Sequence, residues 1–194
     1  MLNKKYLANA VLGWMALATG GIAHAGFIGA QMNADYYFPD SGSPYASAVF
    51  TPSSFTVGAG QETAGDVEGV TNLLVDFSDD ALSIAFDTIL DNPTWSAANF
   101  NGIVFTATSP LDITSAVVDA STTMAGFDNF RVSYTDHQIL LNWQGLSYID
   151  GTVVNINFTS GLPQTGQVPE PGTLALFGLG LAGLVARRWK RAKA

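Results

Sequence analysis

The sequence predicts an all-β fold, an antiparallel β-sandwich of jelly-roll-like type, and three observations predict it. Between residues 26 and 158, short runs rich in Val, Ile, Thr, Phe and Tyr recur about every 8 to 12 residues, the rhythm of a sandwich or barrel. Several of these runs alternate with period two. Leu82, Ile84 and Phe86 share one face of their run, and Val154, Ile156 and Phe158 share one face of theirs. Turn residues separate the runs: Ser78-Asp79-Asp80, Asp136-His137 and Asp150-Gly151, the last a strong hairpin signal. No helical periodicity longer than two turns interrupts this pattern before the C-terminal segment, so two packed sheets are the expected layers.

The candidate strands, in order, are 26–32, 45–50, 54–57, 70–77, 81–89, 102–107, 113–119, 130–134, 139–143 and 153–158. No internal repeat is visible. The chain of 194 residues has room for one such domain plus targeting segments. It has no cysteine, so disulfides, thiolate metal sites and Cys nucleophiles are excluded and the domain must be held by its core. Twelve Phe, six Tyr and four Trp supply that core.

Charge is sharply segregated. Lys4 and Lys5 lie near the N-terminus, and Arg187, Arg188, Lys190, Arg191 and Lys193 lie near the C-terminus. From Gly26 to Val168 the only base is Arg131, set against fifteen of the sixteen acids. Binding to nucleic acid relies on Lys and Arg neutralising phosphates, so no nucleic-acid partner is expected. An anionic membrane surface would repel the same stretch.

The first 25 residues read as a secretory signal. Lys4 and Lys5 make a positive n-region, an apolar run extends from Leu7 to Leu17, and Ala23-His24-Ala25 places small residues before Gly26. Removal by signal peptidase would leave His137 as the single histidine. The domain itself is expected over 26–158, followed by a Gly/Ser/Thr/Pro/Gln linker over 159–167.

The last segment, 168–194, begins with Val168-Pro169-Glu170-Pro171-Gly172, continues through an apolar stretch over 173–186 and stops at Arg187-Arg188-Trp189-Lys190-Arg191. Fourteen helical residues reach roughly 21 Å, short of the ~30 Å hydrocarbon core. Context nevertheless favours a transmembrane helix. The stretch has no polar stripe, and its basic cluster of Arg187, Arg188, Lys190 and Arg191 suits a stop-transfer signal on the cytoplasmic side. Snorkelling and local bilayer thinning accommodate the short span.

Pro169-Glu170-Pro171, the Gly/Leu/Ala helix and the closing Arg cluster together resemble the PEP-CTERM sorting signal of Gram-negative bacteria. The resemblance implies recognition by an exosortase, which cuts near the motif and releases or re-attaches the domain. By it, Pro169, Glu170 and Pro171 are recognition residues. It also implies company with exopolysaccharide and biofilm production. Similar tails are sometimes named after ice-binding proteins, but an ice face needs a repeated flat array of Thr, and the Thr-x-Thr here is Thr106-Ala107-Thr108. A second resemblance is to the bodies of small uncharacterised PEP-CTERM proteins. It rests on Asn99-Phe100-Asn101-Gly102-Ile103-Val104-Phe105 and Met124-Ala125-Gly126-Phe127, and implies a shared β fold alone.

Three sets of residues are candidate sites. Asp76, Asp79 and Asp80 surround one turn, with Asp66 and Glu68 nearby in sequence, and clustered carboxylate oxygens suit calcium. The same residues are ordinary turn chemistry, and no Asp-x-Asp-x-Asp-Gly loop is present. Trp95 follows the polar Asp91-Asn92-Pro93-Thr94, while Tyr36, Tyr37 and Tyr45 flank a Pro/Gly/Ser turn. Exposed rings beside Asp and Asn would stack on sugar C–H faces, though core packing is the commoner fate of Trp and Tyr. Trp143, inside a candidate strand, is expected in the core. His137 and Arg131 are the remaining candidates for chemistry. His137 sits in a tight turn with no Gly-x-Ser-x-Gly, and Arg131 is expected to pair with an acid.

These observations lead to an exported surface or matrix protein without enzymatic activity, structural or adhesive, needing no cofactor. The alternative is a calcium-assisted carbohydrate-binding module, and a further one is a secreted hydrolase.

Overall fold

The computed structural model describes residues 26–161, which form two antiparallel sheets packed face to face. The eleven strands are β1 (Gln31–Tyr37), β2 (Ala48–Thr51), β3 (Ser54–Thr56), β4 (Thr63–Val67), β5 (Thr71–Phe77), β6 (Ala81–Thr88), β7 (Gly102–Ala107), β8 (Ile113–Val118), β9 (Val132–Tyr134), β10 (Gln138–Asn142) and β11 (Thr152–Ser160). One sheet has the order β3-β1-β7-β10-β9, the other β2-β4-β5-β6-β11-β8. The predicted sandwich is present.

Alternation explains how the two layers meet. Leu73, Val75 and Phe77 of β5, Leu82, Ile84 and Phe86 of β6, and Val154, Ile156 and Phe158 of β11 all point inward. From the facing sheet come Met32, Ala34 and Tyr36 of β1, Ile103 and Phe105 of β7, and Ile139 and Leu141 of β10. Each large aliphatic or aromatic side chain so buried contributes about 1.5 to 3 kcal/mol. That is what a disulfide-free domain has to rely on.

The registers divide the core into two poles. Phe77 pairs with Leu82 at one end of the β5–β6 ladder, and Thr71 pairs with Thr88 at the other. At the first pole Phe27 packs edge-on against Phe77 and Phe158, with centroids 5.2 and 5.0 Å apart. Phe105 of the facing sheet joins them, 5.0 Å from Phe77. At the second pole lie Tyr36, Phe86, Trp95, Trp143 and Tyr148.

Some expected elements move. The strand predicted over 26–32 is a turn up to residue 30, and β1 runs on to Tyr37, so Tyr36 becomes a core residue of a strand. Strand β4 was not foreseen, because Thr63-Ala64-Gly65-Asp66-Val67 carries little apolar surface. Gly65 is there because the Phe50 ring lies over it, 2.5 Å from where a Cβ would stand. Residues 129–131 form a 3-10 turn capped by the Asp128 side chain, leaving β9 three residues. Asp150-Gly151 does not close a hairpin between neighbours, since β10 and β11 belong to different sheets; Gly151 takes a φ of 78° at the entry to β11. The turn 78–80 behaves as expected, with the Ser78 amide donating to the Ala81 carbonyl at 2.8 Å. Strand β11 extends to Ser160, two residues into the predicted linker.

Among the described residues no helix is long and apolar enough to cross a membrane. The expected signal segment 1–25 and spanning segment 173–186 lie outside the described residues.

Candidate functional site

Trp95 is placed by two loops that pin each other. Its amide donates to the Leu146 carbonyl at 2.9 Å, its carbonyl accepts from Gly145 at 2.9 Å, and Thr94 and Ser147 form an isolated bridge closed by their hydroxyls at 2.6 Å. This folds the polar segment 91–96 back over the end of the sandwich. The Trp95 ring stacks on Tyr148, centroids 4.8 Å apart and 13° from parallel, and lies 5.7 Å from Trp143 and 5.8 Å from Tyr36. Only 8 % of Trp95 is exposed.

The expected sugar platform of Trp95, Tyr36 and Tyr37 is therefore corrected. Trp95 and Tyr36 are core residues, and Tyr37, its neighbour on β1, alternates to the other face and is half-buried. Sequence polarity around Trp95 pointed to exposure, but the loop's long-range hydrogen bonds turn the ring inward.

A hydrogen-bond relay runs beneath these rings. The Trp143 indole donates to the Tyr36 hydroxyl at 2.7 Å, Tyr36 donates to Asn101 Oδ1 at 2.7 Å, and Asn101 Nδ2 donates to the Ser96 carbonyl at 3.0 Å. The Tyr148 hydroxyl lies 2.8 Å from Thr71 Oγ1, which in turn lies 2.9 Å from Thr88 Oγ1. Burial pushes the Tyr36 and Tyr148 hydroxyls above their usual range. Tyr45, at the edge, is raised first by the hydrogen bond it gives the Glu68 carboxylate.

Between this network and solvent is a pocket of about 140 Å³. Tyr36, Tyr45, Glu68, Trp95, Asn101 and Tyr148 line it, and exposed Leu90 and Thr94 stand at its rim. The Trp95 Nε1 hydrogen is buried and has no hydrogen-bond partner among the described residues. Sequence reasoning grouped Tyr45 with Tyr36 but did not join Glu68, Asn101 and Tyr148 to them, since only the fold brings these distant segments to one pole.

The other expected residues are dispersed. Asp76 projects from the outer face of β5, and Asp79 and Asp80 lie in the following turn, where their backbone carbonyls accept from Phe27 and Phe158. Asp66 caps Gly69 at 2.7 Å. Among the described residues no three His, Asp or Glu side chains are grouped to hold a metal ion, so the calcium site drawn on Asp76, Asp79 and Asp80 is not formed. Asp119 is held below the usual carboxylate range by the Ser121 hydroxyl, then the Ser121 amide and the Asn157 side chain. His137 is exposed, its Nδ1 3.2 Å from the Ala107 carbonyl. Arg131 donates to the carbonyls of Asn142 and Gln144 at 3.2 and 3.0 Å, not to the acid expected for it.

Beyond the sandwich, residues 167–191 match the family model of the PEP-CTERM protein-sorting motif. The chain carries a PEP-CTERM sorting motif. No curated protein and no solved structure matches the chain. The PEP-CTERM motif encloses Pro169, Glu170 and Pro171 together with Arg187, Arg188, Lys190 and Arg191. It marks an exported protein, secreted or at the cell surface, that an exosortase processes. The motif starts within ten residues of the end of β11, on the Phe158 side of the domain. The described chain thus ends at the pole opposite the aromatic pocket.

Proposed function

We propose that this protein is a non-enzymatic component of the cell surface or extracellular matrix, whose sandwich serves a structural or adhesive role linked to exopolysaccharide and biofilm. The observation that supports the reading is the polarity of the domain. Both described ends of the chain meet at the Phe27–Phe158 pole, and the sorting motif follows directly from it. The pocket lies at the other end of β11, where Tyr148 precedes the strand, about 26 Å away at the usual rise per residue. A domain tethered at one pole presents the other outward. In this reading the signal peptide is removed first, the tail then engages the membrane and the exosortase, and no cofactor takes part.

The test is made in the producing bacterium, with the protein followed by mass spectrometry in strains with and without the exosortase and with and without exopolysaccharide. In the parent strain the protein is expected in the matrix fraction without peptides from 173–186, and EDTA leaves it there. Without the exosortase those peptides are retained and the protein stays with the membrane. Recovery of 173–186 from the surface form would end the processing scheme. A distribution indifferent to exopolysaccharide would end the matrix role.

A further inference from the structure

We infer that the outward pole of the sandwich docks a cationic polypeptide segment bearing apolar side chains, an inference that rests on the adhesive role above and names the chemistry of its partner. The loops at the Thr71–Thr88 end of the domain expose side chains of the kind that the sheets bury. Ile89 is 80 % exposed, Ile149 57 % and Leu90 41 %. One hydrogen bond brings their two loops together. The Thr88 amide donates to Asp150 Oδ1 at 3.3 Å, so Ile89 and Leu90 follow one end of that bond and Ile149 precedes the other.

The backbone under these side chains is fixed. The Ile89 amide donates to the Val70 carbonyl at 3.1 Å, the Leu90 amide to Thr88 Oγ1 at 3.2 Å and the Ile149 amide to Thr152 Oγ1 at 3.0 Å. Little ordering is therefore left to be done when a partner arrives, which favours binding. Apolar side chains exposed singly are ordinary, whereas a group of them on one pinned surface marks a contact site.

Charge then chooses the occupant. Asp87 and Asp91 stand two residues to either side of Ile89, and Asp150 follows Ile149; all three are exposed. Arg131, the sole base from Gly26 to Val168, is committed to the Asn142 and Gln144 carbonyls. An apolar centre with an acidic rim complements apolar side chains set among Lys or Arg. A second copy of the domain would bring like charges face to face, which opposes pairing. An anionic lipid surface is repelled for the same reason. An uncharged apolar segment would fill the centre and leave the rim without a counterpart.

The experiment uses the exported protein recovered from the producing cells. Three synthetic peptides of about ten residues are titrated in about 0.15 M salt: alternating leucine and lysine, lysine alone, and alternating leucine and glutamate. Binding is read by calorimetry and by NMR of the backbone amides. The leucine-lysine peptide is expected to bind saturably and to shift residues 89–91 and 149–150. The lysine peptide binds at least about tenfold more weakly, and the leucine-glutamate peptide does not bind. Ile89→Ser and Ile149→Ser each weaken the leucine-lysine peptide about tenfold, the effect of losing one buried aliphatic side chain. Both positions are exposed, so thermal melts stay as in the parent. Asp91→Asn weakens the same peptide and lowers its salt dependence. Equal binding of the leucine-lysine and lysine peptides, or unchanged affinity in Ile89→Ser, would reduce the effect to general attraction by an acidic domain and overturn the inference. Dimers that form without peptide and are lost in Ile89→Ser would overturn it in favour of a second copy. Matrix association that persists in both isoleucine variants would sink the patch and leave the proposed function standing.

Discussion

The Trp143 indole and the Tyr36 hydroxyl, 107 residues apart in sequence, are joined by a 2.7 Å hydrogen bond in the core. The same hydroxyl then donates 2.7 Å to Asn101, so one oxygen satisfies a donor from the end of β10 and an acceptor at the entry to β7. Tyr36→Phe leaves the indole hydrogen and the Asn101 oxygen both unpaired. At about 1 to 3 kcal/mol for each buried orphan, a loss of roughly 2 to 6 kcal/mol is expected by urea denaturation. Tyr148→Phe is milder, near 1 kcal/mol, because Thr71 keeps its bond to Thr88. Equal losses in the two variants would show that the relay has no special weight.

Gly102 makes the sharpest steric prediction. A Cβ there would stand 1.8 Å from the Leu141 carbonyl oxygen, a backbone atom in the paired strand. Neither β7 nor β10 can move aside without breaking its ladder, so Gly102→Ala is expected to abolish cooperative folding in circular-dichroism melts. Gly65→Ala meets the Phe50 ring at 2.5 Å, a side chain that can tilt, and costs about 1 to 3 kcal/mol. A Gly102→Ala protein that melts like the parent would refute the close packing of β7 on β10.

Alkaline pH reads the buried phenols. Burial raises Tyr36 and Tyr148 above the ordinary 10.0, so the unfolded chain loses these protons first. Their contribution to stability is complete below about pH 10 and is lost as pH rises through the folded values. Ultraviolet titration is expected to show Tyr36 and Tyr148 ionising only as the fold is lost. Reversible ionisation of Tyr36 and Tyr148 with circular dichroism unchanged would contradict this.

How much of this was legible in the sequence depends on the range over which each signal acts. Alternation is local, so the inward faces of β5, β6 and β11 could be read directly, and Trp143 at the end of an apolar run was correctly placed in the core. Sorting signals are read by their receptors as linear motifs, which made the tail equally plain. The sequence leaves Trp95 between a sugar face and the core because its neighbours Asp91, Asn92 and Thr94 are polar, while the contacts that bury it come from residues 145–148. Strand β4 was missed for a related reason. Its Gly65 suits a neighbour's ring, Phe50, and a run cannot advertise the partner it was shaped to receive.

The meeting of Phe27 with Phe158 sets an order of events. During export the first of these rings crosses at the start of the domain and the second almost at its end. Phe27 must wait for nearly the whole domain to emerge before its place between Phe77 and Phe158 exists. By then the segment next to arrive is the one bearing Pro169-Glu170-Pro171. Phe158, which completes that pole, stands nine residues ahead of the sorting motif, so the last ring of the core and the signal for processing are near neighbours along the chain.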